Sequence, residues 1–443
     1  MPILKELGLR FARRGGAPEY PYNNGNGFAY EPGLDHPLLI PSTGDARPHW
    51  TLSDFKRAVS QAREGKIAVL QFHGVPDAAH AWVTTSQKQF QEYMTYLLEN
   101  KFRVIALREL ANYIDPNLAP SEPWGVIKDR QHLLELKQSG SNARPAKNGA
   151  DLRYWLENMA AYHKFGPSEM GAALGMTSDG VESALRRMSI DLAQTPQLPL
   201  NTALLVLPYP GGRHPRVGFL DGAIRPQRET KVSVFAPWKN GGYVVADIPE
   251  AIWFKSGGKK ELLYLAHTHV PTVWDKRGVA LAPMEWTRKP DRSLAIERHL
   301  PGIATFGAKV GPERDGERLE LWLTNRSTEK LTGLQVQMCV MLKGLTGFDR
   351  QTNENKVFAR PFAACRDEKG KRWVIVGWEP CVRAWGNPPC PCLHADPQIP
   401  DCPPGETRRI RGWLSFYLGD DIHGELRRLR TVAFGAGSSG GKP

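Results

Sequence analysis

The stretch IAVLQFHGVPDAAHAW, residues 67–82, begins like a buried strand and contains two histidines. Its first four residues are apolar, as in the interior of a sheet, and Gly74 and Pro76 force the chain to turn. His73 therefore lies near the carboxyl end of a predicted strand, where α/β sheets usually carry their reactive groups. The fold around this strand decides whether His73 is a reagent or a buried histidine bonded to backbone.

Amphipathic segments flank this strand and define the expected fold of residues 1–116. Residues 51–65 and 86–101 place apolar side chains at helical spacing, whereas residues 102–107 (FRVIAL) are typical of a short strand. Residues 108–115 then predict a final helix. This β-α-β-α order predicts a parallel sheet with crossover helices.

Residues 117–195 predict a linker followed by a helical hairpin. Residues 117–150 are rich in Pro, Ser, Asn and Gly, and residues 151–192 show helical spacing with Gly175 at a turn. The hairpin resembles a helix-turn-helix, but its second helix offers arginines and no Asn or Gln to read bases. We therefore expect it to join two domains, and nucleic acid is not favoured as a partner.

Short alternating runs separated by turn residues fill residues 196–435. Examples are TKVSVFA (230–236), RLELWLTN (318–325) and RRIRGWLSFYLG (408–419). Such runs predict a large antiparallel β-sandwich, and residues 436–443 predict a flexible tail. The expected fold class is thus α/β plus all-β.

Residues 9–116 resemble the C-terminal half of the polysaccharide deacetylase (NodB-homology) family. The resemblance rests on VLQFHGV (69–75), FARRGGAPEY (11–20), STGDARPHW (42–50) and the closing FRVIALRELANYID. It implies a partial (β/α) barrel over residues 1–116 and metal-dependent deacetylation of a carbohydrate, commonly with zinc.

Carried over by position, the resemblance implies a role for each matching residue. His73 would protonate the leaving group, Asp45 would tune it, and Arg13 or Arg14 would orient a carboxylate. Leu70 would line the acetyl pocket, and Trp82 would contact substrate. An imidazole paired with a carboxylate suits proton delivery near neutral pH.

The family's Thr-Phe-Asp-Asp and His-x-x-x-His motifs, which supply the base and the metal ligands, do not occur in this chain. The ligands of a deacetylase metal would therefore lie outside it. We expect either a fragment of a longer protein or a degenerate remnant. In the second case the β-sandwich would be the functional part, as a carbohydrate-binding or separately active unit.

The predicted β-sandwich carries two groups of candidate sugar-binding residues. Aromatic faces stack on sugar rings while charged groups hold hydroxyls. The candidates are Arg213, His214, Arg228, Glu229, His267, His269 and Glu285. His267 and His269 share one face of a predicted strand, and with Glu285 they could alternatively hold a metal.

A third cluster, CVRAWGNPPCPCLHADPQIPDC (381–402), concentrates cysteines in a proline-rich loop. Its candidate zinc ligands are Cys390, Cys392, His394 and Cys402, with Cys381 in reserve. Thiolate and imidazole ligands suit a structural zinc site. A disulfide and unligated thiols remain alternatives.

Composition limits the remaining function classes. The formal charge is +12 and is spread along the chain, which is typical of a solvated surface. Hydrophobic residues make up 41% and charged residues 23%, and the sequence contains no long apolar run. We expect a carbohydrate partner, no membrane association and, unless an upstream signal is missing, a cytoplasmic location.

Overall fold

The computed structural model describes residues 2–14, 27–138, 143–192, 204–216, 228–266 and 270–435. The chain divides into two compact units. Unit 1 comprises Met1–Glu157 and Gly166–Asp191, and unit 2 comprises Asn158–Phe165 and Leu192–Pro443.

Unit 1 is mainly helical in the ranges described. Its α-helices are α1 (Pro2–Glu6), α2 (Leu52–Val59), α3 (Gln87–Glu99), α4 (Gly125–Gln138), α5 (Gly149–Glu157), α6 (Pro167–Leu174) and α7 (Ser178–Arg187). Short 3-10 helices span Pro37–Leu39 and Leu107–Asn112, and two short strands are β1 (Gly44–Asp45) and β2 (Leu70–Gln71).

Local capping explains where the predicted helices of unit 1 begin. The Thr51 side chain accepts from the backbone N–H of Asp54, and Ser86 does the same for Gln89, so each completes a capping box. Helices α2 and α3 then pack through stacked rings of Phe55 and Tyr93, with centroids 4.4 Å apart.

The predicted partial (β/α) barrel of residues 1–116 is wrong. In the described ranges the parallel pairing of named strands is limited to β1 with β2, two residues each. The expected strand at 102–107 is irregular and passes into a 3-10 helix, and Val104 there is 69% exposed. A strand needs a neighbour to satisfy its backbone groups, and this segment has no ladder partner among the described residues.

Unit 2 confirms the predicted antiparallel β-sandwich. Its strands are β3 (Val206–Pro208), β4 (Lys231–Phe235), β5 (Tyr243–Ser256), β6 (Lys259–Leu265), β7 (Thr287–Arg288), β8 (Leu294–Leu300), β9 (Ala304–Glu313), β10 (Gly316–Asn325), β11 (Thr332–Met341), β12 (Lys356–Ala359), β13 (Phe362–Arg366), β14 (Arg372–Glu379), β15 (Cys381–Trp385), β16 (Cys392–Pro397) and β17 (Thr407–Leu418). Two α-helices, α8 (Val273–Lys276) and α9 (Ile422–Leu429), and π-helical turns at Asn158–His163 and Arg430–Phe434 complete the described elements.

These strands form two sheets that enclose one core. Sheet A has the order β12-β13-β14-β17-β10-β9-β8-β7, and sheet B has the order β15-β16-β11-β5-β4-β3 with β6 beside β5. Residue alternation sets the faces: in β10, Leu319, Leu321 and Leu323 are buried in the shared core, whereas the residues between them are partly exposed. Helix α9 packs on the outer face of sheet A.

None of the helices in the described ranges combines the length and the apolar character needed to cross a membrane.

Candidate metal centre

A row of polar side chains crosses the outer face of sheet B. Lys231 of β4 lies opposite Asp247 of β5, and Asp247 lies opposite Cys339 of β11. In the antiparallel pairing of β11 with β16, Val340 lies opposite Leu393, so the next residues, Cys339 and His394, are neighbours across the two strands. Trp385 of β15 lies opposite His394 on its other side. Antiparallel register thus gathers a cation, a carboxylate, a thiol and an imidazole that are distant in sequence.

Three side chains of this face converge closely enough to share one ion. The Sγ atoms of Cys339 and Cys392 and a ring nitrogen of His394 all lie within 4.8 Å of one another, and all three residues are buried. The Cys392 Sγ lies 3.2 Å from the His394 Nε2. Cys390 is adjacent, since its thiol is hydrogen-bonded with Cys392 and also accepts from the Asn387 Nδ2 at 3.0 Å.

The other ring nitrogen of His394 faces carboxylates. Its Nδ1 lies 3.8 Å from the Asp396 Oδ1 and 3.9 Å from the Glu250 Oε2. The Trp385 ring stacks on the imidazole at 3.9 Å between centroids and donates from its Nε1 to the Asp396 Oδ2 at 2.6 Å. These contacts hold the ring so that Nε2 points toward the two thiols.

A buried arginine supplies positive charge beside the thiols. The Arg216 Nη2 lies 3.6 Å from the Cys339 Sγ and also forms an ion pair with Glu250. Gln337 donates from Nε2 to the Glu250 Oε2 at 2.7 Å. Arg216 and Glu250 are 7% and 4% exposed, so this pairing is largely shielded from water.

The local charges favour a thiolate at Cys339. Burial opposes ionisation, but the hydrogen bond with Cys392 and the charge of His394 together hold the pKa of Cys339 well below its usual range. Burial also disfavours a charged His394, yet the neighbouring Cys339 thiolate and Asp396 raise the pKa of that imidazole. Cys392 stays a thiol in this arrangement, because hydrogen bonding to the other two cysteines raises its pKa.

The row also contains a perturbed carboxylate. Burial raises the pKa of Asp247 to about 7, although the Lys231 ammonium, 3.1 Å away, opposes that shift. Both side chains are 1% exposed or less. The outer face of sheet B is therefore a buried, charge-dense surface rather than a solvated one.

The predicted cysteine cluster is partly reproduced by this geometry. The structure brings Cys390, Cys392 and His394 together, whereas Cys402 lies in the sandwich core and its Sγ donates to the Glu406 carbonyl at 3.1 Å. Cys381 donates to the Arg383 carbonyl at 3.3 Å. All six cysteines are free thiols.

The sequence analysis missed Cys339. The alternation along β11 indicates this ligand. Gln335, Gln337 and Cys339 occupy alternate positions and point to the outer face of the sheet. Met338 and Val340, between and beside them, point to the core. A cysteine at a polar, outward position of a strand is a better ligand candidate than one at a core position.

Three of the predicted sugar-binding residues meet at a second place in unit 2. The Arg228 Nη1 lies 3.2 Å from the Glu285 Oε1, and the Arg298 Nη2 lies 2.8 Å from the Glu229 Oε2. The Tyr264 ring lies beside this pair, with the Arg298 guanidinium carbon 6.0 Å from its centroid. The two arginines are buried, whereas the Glu285 side chain keeps 31% exposure.

The remaining predicted sugar-binding residues make other contacts or lie outside the described residues. Arg213 donates to the His163 carbonyl at 3.2 Å and lies over the Phe165 ring. Burial lowers the pKa of His214 to about 4, and its Nδ1 accepts from the Arg216 backbone N–H at 3.1 Å. His267 and His269 lie outside the described residues.

Unit 1 brings two of the four predicted catalytic residues into contact. The His73 Nε2 lies 2.9 Å from the Asp45 Oδ1, and Arg47 holds the other oxygen of Asp45 at 2.6 Å. Arg13 instead donates to the Ser42 hydroxyl at 2.5 Å, and Arg14 donates to the Leu39 carbonyl at 3.0 Å.

The two predicted substrate contacts of unit 1 differ in exposure. Leu70 packs against the cluster around Phe55 and Tyr93, whereas Trp82 is 66% exposed and its ring meets His80 edge-on.

Comparison with known proteins assigns no family to this chain. No family model matches the sequence, and no curated protein matches it. Among solved structures, the Slr1438 protein from Synechocystis sp. PCC 6803 is 13% identical, with 52% of this chain and 99% of that chain covered at a TM-score of 0.27.

Two further solved structures show similar values. A putative aldose 1-epimerase from Escherichia coli K12 is 11% identical, with 46% of this chain and 99% of that chain covered and a TM-score of 0.28. A heparan sulfate lyase HepC mutant from Pedobacter heparinus is 8% identical, with 77% and 66% covered and a TM-score of 0.28.

The resemblance to polysaccharide deacetylases is wrong. No deacetylase family model matches, and the described part of unit 1 lacks the parallel barrel that the resemblance implies. The motif matches were short runs of common residue types, which recur in unrelated folds.

Proposed function

We propose that unit 2 binds one zinc ion through Cys339, Cys392 and His394, with Cys390 as the fourth ligand. The observation that carries this proposal is the convergence of three buried ligand atoms within 4.8 Å. A tetrahedral zinc ion with Zn–S bonds of about 2.3 Å separates its ligand atoms by about 3.7 Å. Small rotations of the side chains would bring the thiols to that spacing.

The donor set favours zinc over other common ions. Thiolate and imidazole ligands in a four-coordinate arrangement suit zinc, whereas calcium and magnesium need oxygen ligands. Asp396 and Glu250 face the Nδ1 of His394, which is the outer-shell arrangement that orients a ligating histidine. Arg216 beside the Cys339 Sγ offsets the negative charge of several thiolates.

The role we propose for the ion is structural. It would join β11 to β16 and fix the loop at 386–391, which is rich in proline and contains few core residues. A closed four-ligand site provides folding free energy and leaves no coordination position for substrate.

Metal analysis of the purified full chain tests the proposal. We expect about one zinc per chain in the parent and a loss of most of it in Cys339→Ser, Cys392→Ser and His394→Asn. Cys402→Ser is the matched control, because Cys402 is equally buried but lies in the core, and it should keep its zinc. X-ray absorption at the zinc edge should show sulfur and nitrogen in the first shell.

Two results would contradict the zinc centre. One is a parent that takes up no zinc after reduction and addition of the ion. The other is equal zinc loss in Cys402→Ser and Cys339→Ser, which would indicate general misfolding. Circular dichroism of each variant separates a lost ligand from a lost fold.

A second candidate function is carbohydrate binding at the cluster of Arg228, Glu229, Glu285 and Arg298. The observation that favours it is the partly exposed Glu285 carboxylate held by a buried arginine. Such a paired carboxylate can accept from sugar hydroxyls without rearrangement. We expect Glu285→Gln to weaken binding of the full chain to a soluble polysaccharide, and an unchanged affinity in this variant would argue against the cluster.

A further inference from the structure

One part of the outer face of sheet A, away from α9, places the tryptophan Trp322 among charged and hydroxyl side chains. Trp322 of β10 lies opposite Gly307 of β9 on one side and Arg409 of β17 on the other. The next pair along the same face joins the hydroxyls of Thr324 and Thr407 at 2.8 Å. We call this face, centred on Trp322, the Trp322 platform.

The indole lies against the backbone of the neighbouring strand. A Cβ atom built on Gly307 would overlap the Cζ2 and Cε2 atoms of Trp322. Glycine at this position therefore lets the ring lie down on the sheet instead of standing away from it. A ring in that position is a flat apolar surface fixed to a rigid strand.

Charged side chains border the ring and remain in contact with solvent. Arg409 forms an ion pair with Glu320, and their side chains are 60% and 33% exposed. The guanidinium carbon of Arg409 lies over the Trp322 ring, 5.4 Å from its centre. Lys309, which lies opposite Glu320, is 49% exposed. Hydrogen-bonding groups thus surround the aromatic surface on the solvent side.

The platform differs from the part of sheet A that α9 covers. Under α9 the outer face presents large apolar side chains, including Trp373, Ile375 and Trp413. The platform presents one aromatic ring among polar groups, so it lacks the continuous apolar area that a packed helix needs.

We propose that the Trp322 platform binds an uncharged polysaccharide, with one sugar ring stacked on the indole. An aromatic face packs on the C–H face of a pyranose while neighbouring polar groups bond its hydroxyls. The charges of the face balance, which favours a neutral glycan over a polyanion. The bases are Lys309, Arg318, Arg409 and Arg411, and the acids are Glu297, Glu313, Glu320 and Glu379.

This site is separate from the second candidate site, which we call the Arg228 cluster. That cluster comprises Arg228, Glu229, Glu285 and Arg298. Arg298 in that cluster is a buried residue of β8, whereas its neighbours Glu297 and His299 point to the platform side of the same strand. The two sites therefore lie on opposite faces of sheet A, and variants can test them independently.

Affinity electrophoresis of the full chain tests the platform. The gels contain xylan, mixed-linkage β-glucan or galactomannan as uncharged probes, and heparin as a polyanion. We expect retardation by at least one uncharged polysaccharide and a loss of affinity of about tenfold in Trp322→Ala. Trp322→Phe should retain most of the affinity.

Trp253→Ala is the matched control, because Trp253 is a half-buried tryptophan of sheet B that also has a cation near its ring. It should bind like the parent, and the melting temperature of each variant reports on folding. If Glu285→Gln abolishes binding and Trp322→Ala does not, the platform is overturned and the Arg228 cluster stands. Retardation by heparin alone, or by none of the probes, overturns the platform as well.

Discussion

The substitution Glu317→Gln should make unit 2 more stable above neutral pH. Glu317 is fully buried on the core side of β10, and neither of its carboxylate oxygens has a hydrogen-bond partner among the described residues. Burial raises the pKa of Glu317 to about 8, against an ordinary value of 4.5, although the charge of Arg292 opposes the shift. The folded state therefore keeps a proton that the unfolded chain has already released.

The sign of the pH dependence follows from this difference in proton binding. Between pH 4.5 and about 8 the folded state binds one more proton than the unfolded state, so stability falls as the pH rises. Each pH unit in that window corresponds to about 1.4 kcal/mol, and the whole window corresponds to about 5 kcal/mol at most. A glutamine has no proton to lose, so the variant should lack this slope.

Urea unfolding at pH 5, 6, 7, 8 and 9, followed by tryptophan fluorescence, measures the effect. Parent and variant should agree within about 1 kcal/mol at pH 5, separate steadily up to about pH 8, and separate no further at pH 9. Glu320→Gln is the control, because Glu320 lies on the same strand but is partly exposed and paired with Arg409. If the parent and Glu317→Gln have parallel pH profiles, Glu317 is not the buried acid that this argument requires.

Three other substitutions and measurements follow from buried contacts. Asp35→Asn should destabilise unit 1 by about 3 kcal/mol in a thermal melt, because it breaks the buried pairing of both Asp35 oxygens with Arg130. Burial lowers the pKa of His163 to about 3, so its ring proton resonances should stay constant between pH 8 and 5, and a titration in that range would contradict its burial. Gly307→Ala should destabilise unit 2 by about 1–3 kcal/mol in urea, because the added methyl overlaps Trp322, and a neutral result would show that the ring can move.

The strands of unit 2 were predictable because each is indicated by a short run of neighbouring residues bounded by turn residues. The runs TKVSVFA, RLELWLTN and RRIRGWLSFYLG became β4, β10 and β17. Burial alternates along β10 as its sequence indicates, whereas every residue of β4 is buried. The hairpin around Gly175 was local as well: that residue has a φ of +70°, a conformation that glycine adopts without a Cβ penalty. The domain boundaries proposed from the sequence, at 116 and 195, stay predictions.

The prediction of a parallel sheet in residues 1–116 was wrong because a sheet depends on which strands pair with each other. An apolar run such as 67–72 is compatible with a central strand, an edge strand or an irregular segment, and the choice depends on which other strands pair with it. In the structure, residues 67–72 are all partly exposed, and the short ladder of β1 with β2 is the regular pairing described there. The order of apolar and amphipathic segments therefore predicted the helices of this region but not how its extended segments pair.

The candidate metal centre shows the same division between local and long-range information. Cys390, Cys392 and His394 are neighbours in sequence, and their clustering alone suggested a metal site. The ligand that the structure adds, Cys339, comes from another strand and is brought in by the pairing of β11 with β16, and Cys402, which looked equivalent in the sequence, is turned into the core. The register of β16 against β11 therefore determines which cysteines can bind an ion. A shift of β16 by one residue would turn Cys392 and His394 to the core face. The zinc contents of Cys339→Ser and Cys402→Ser consequently test the strand register as well as the metal.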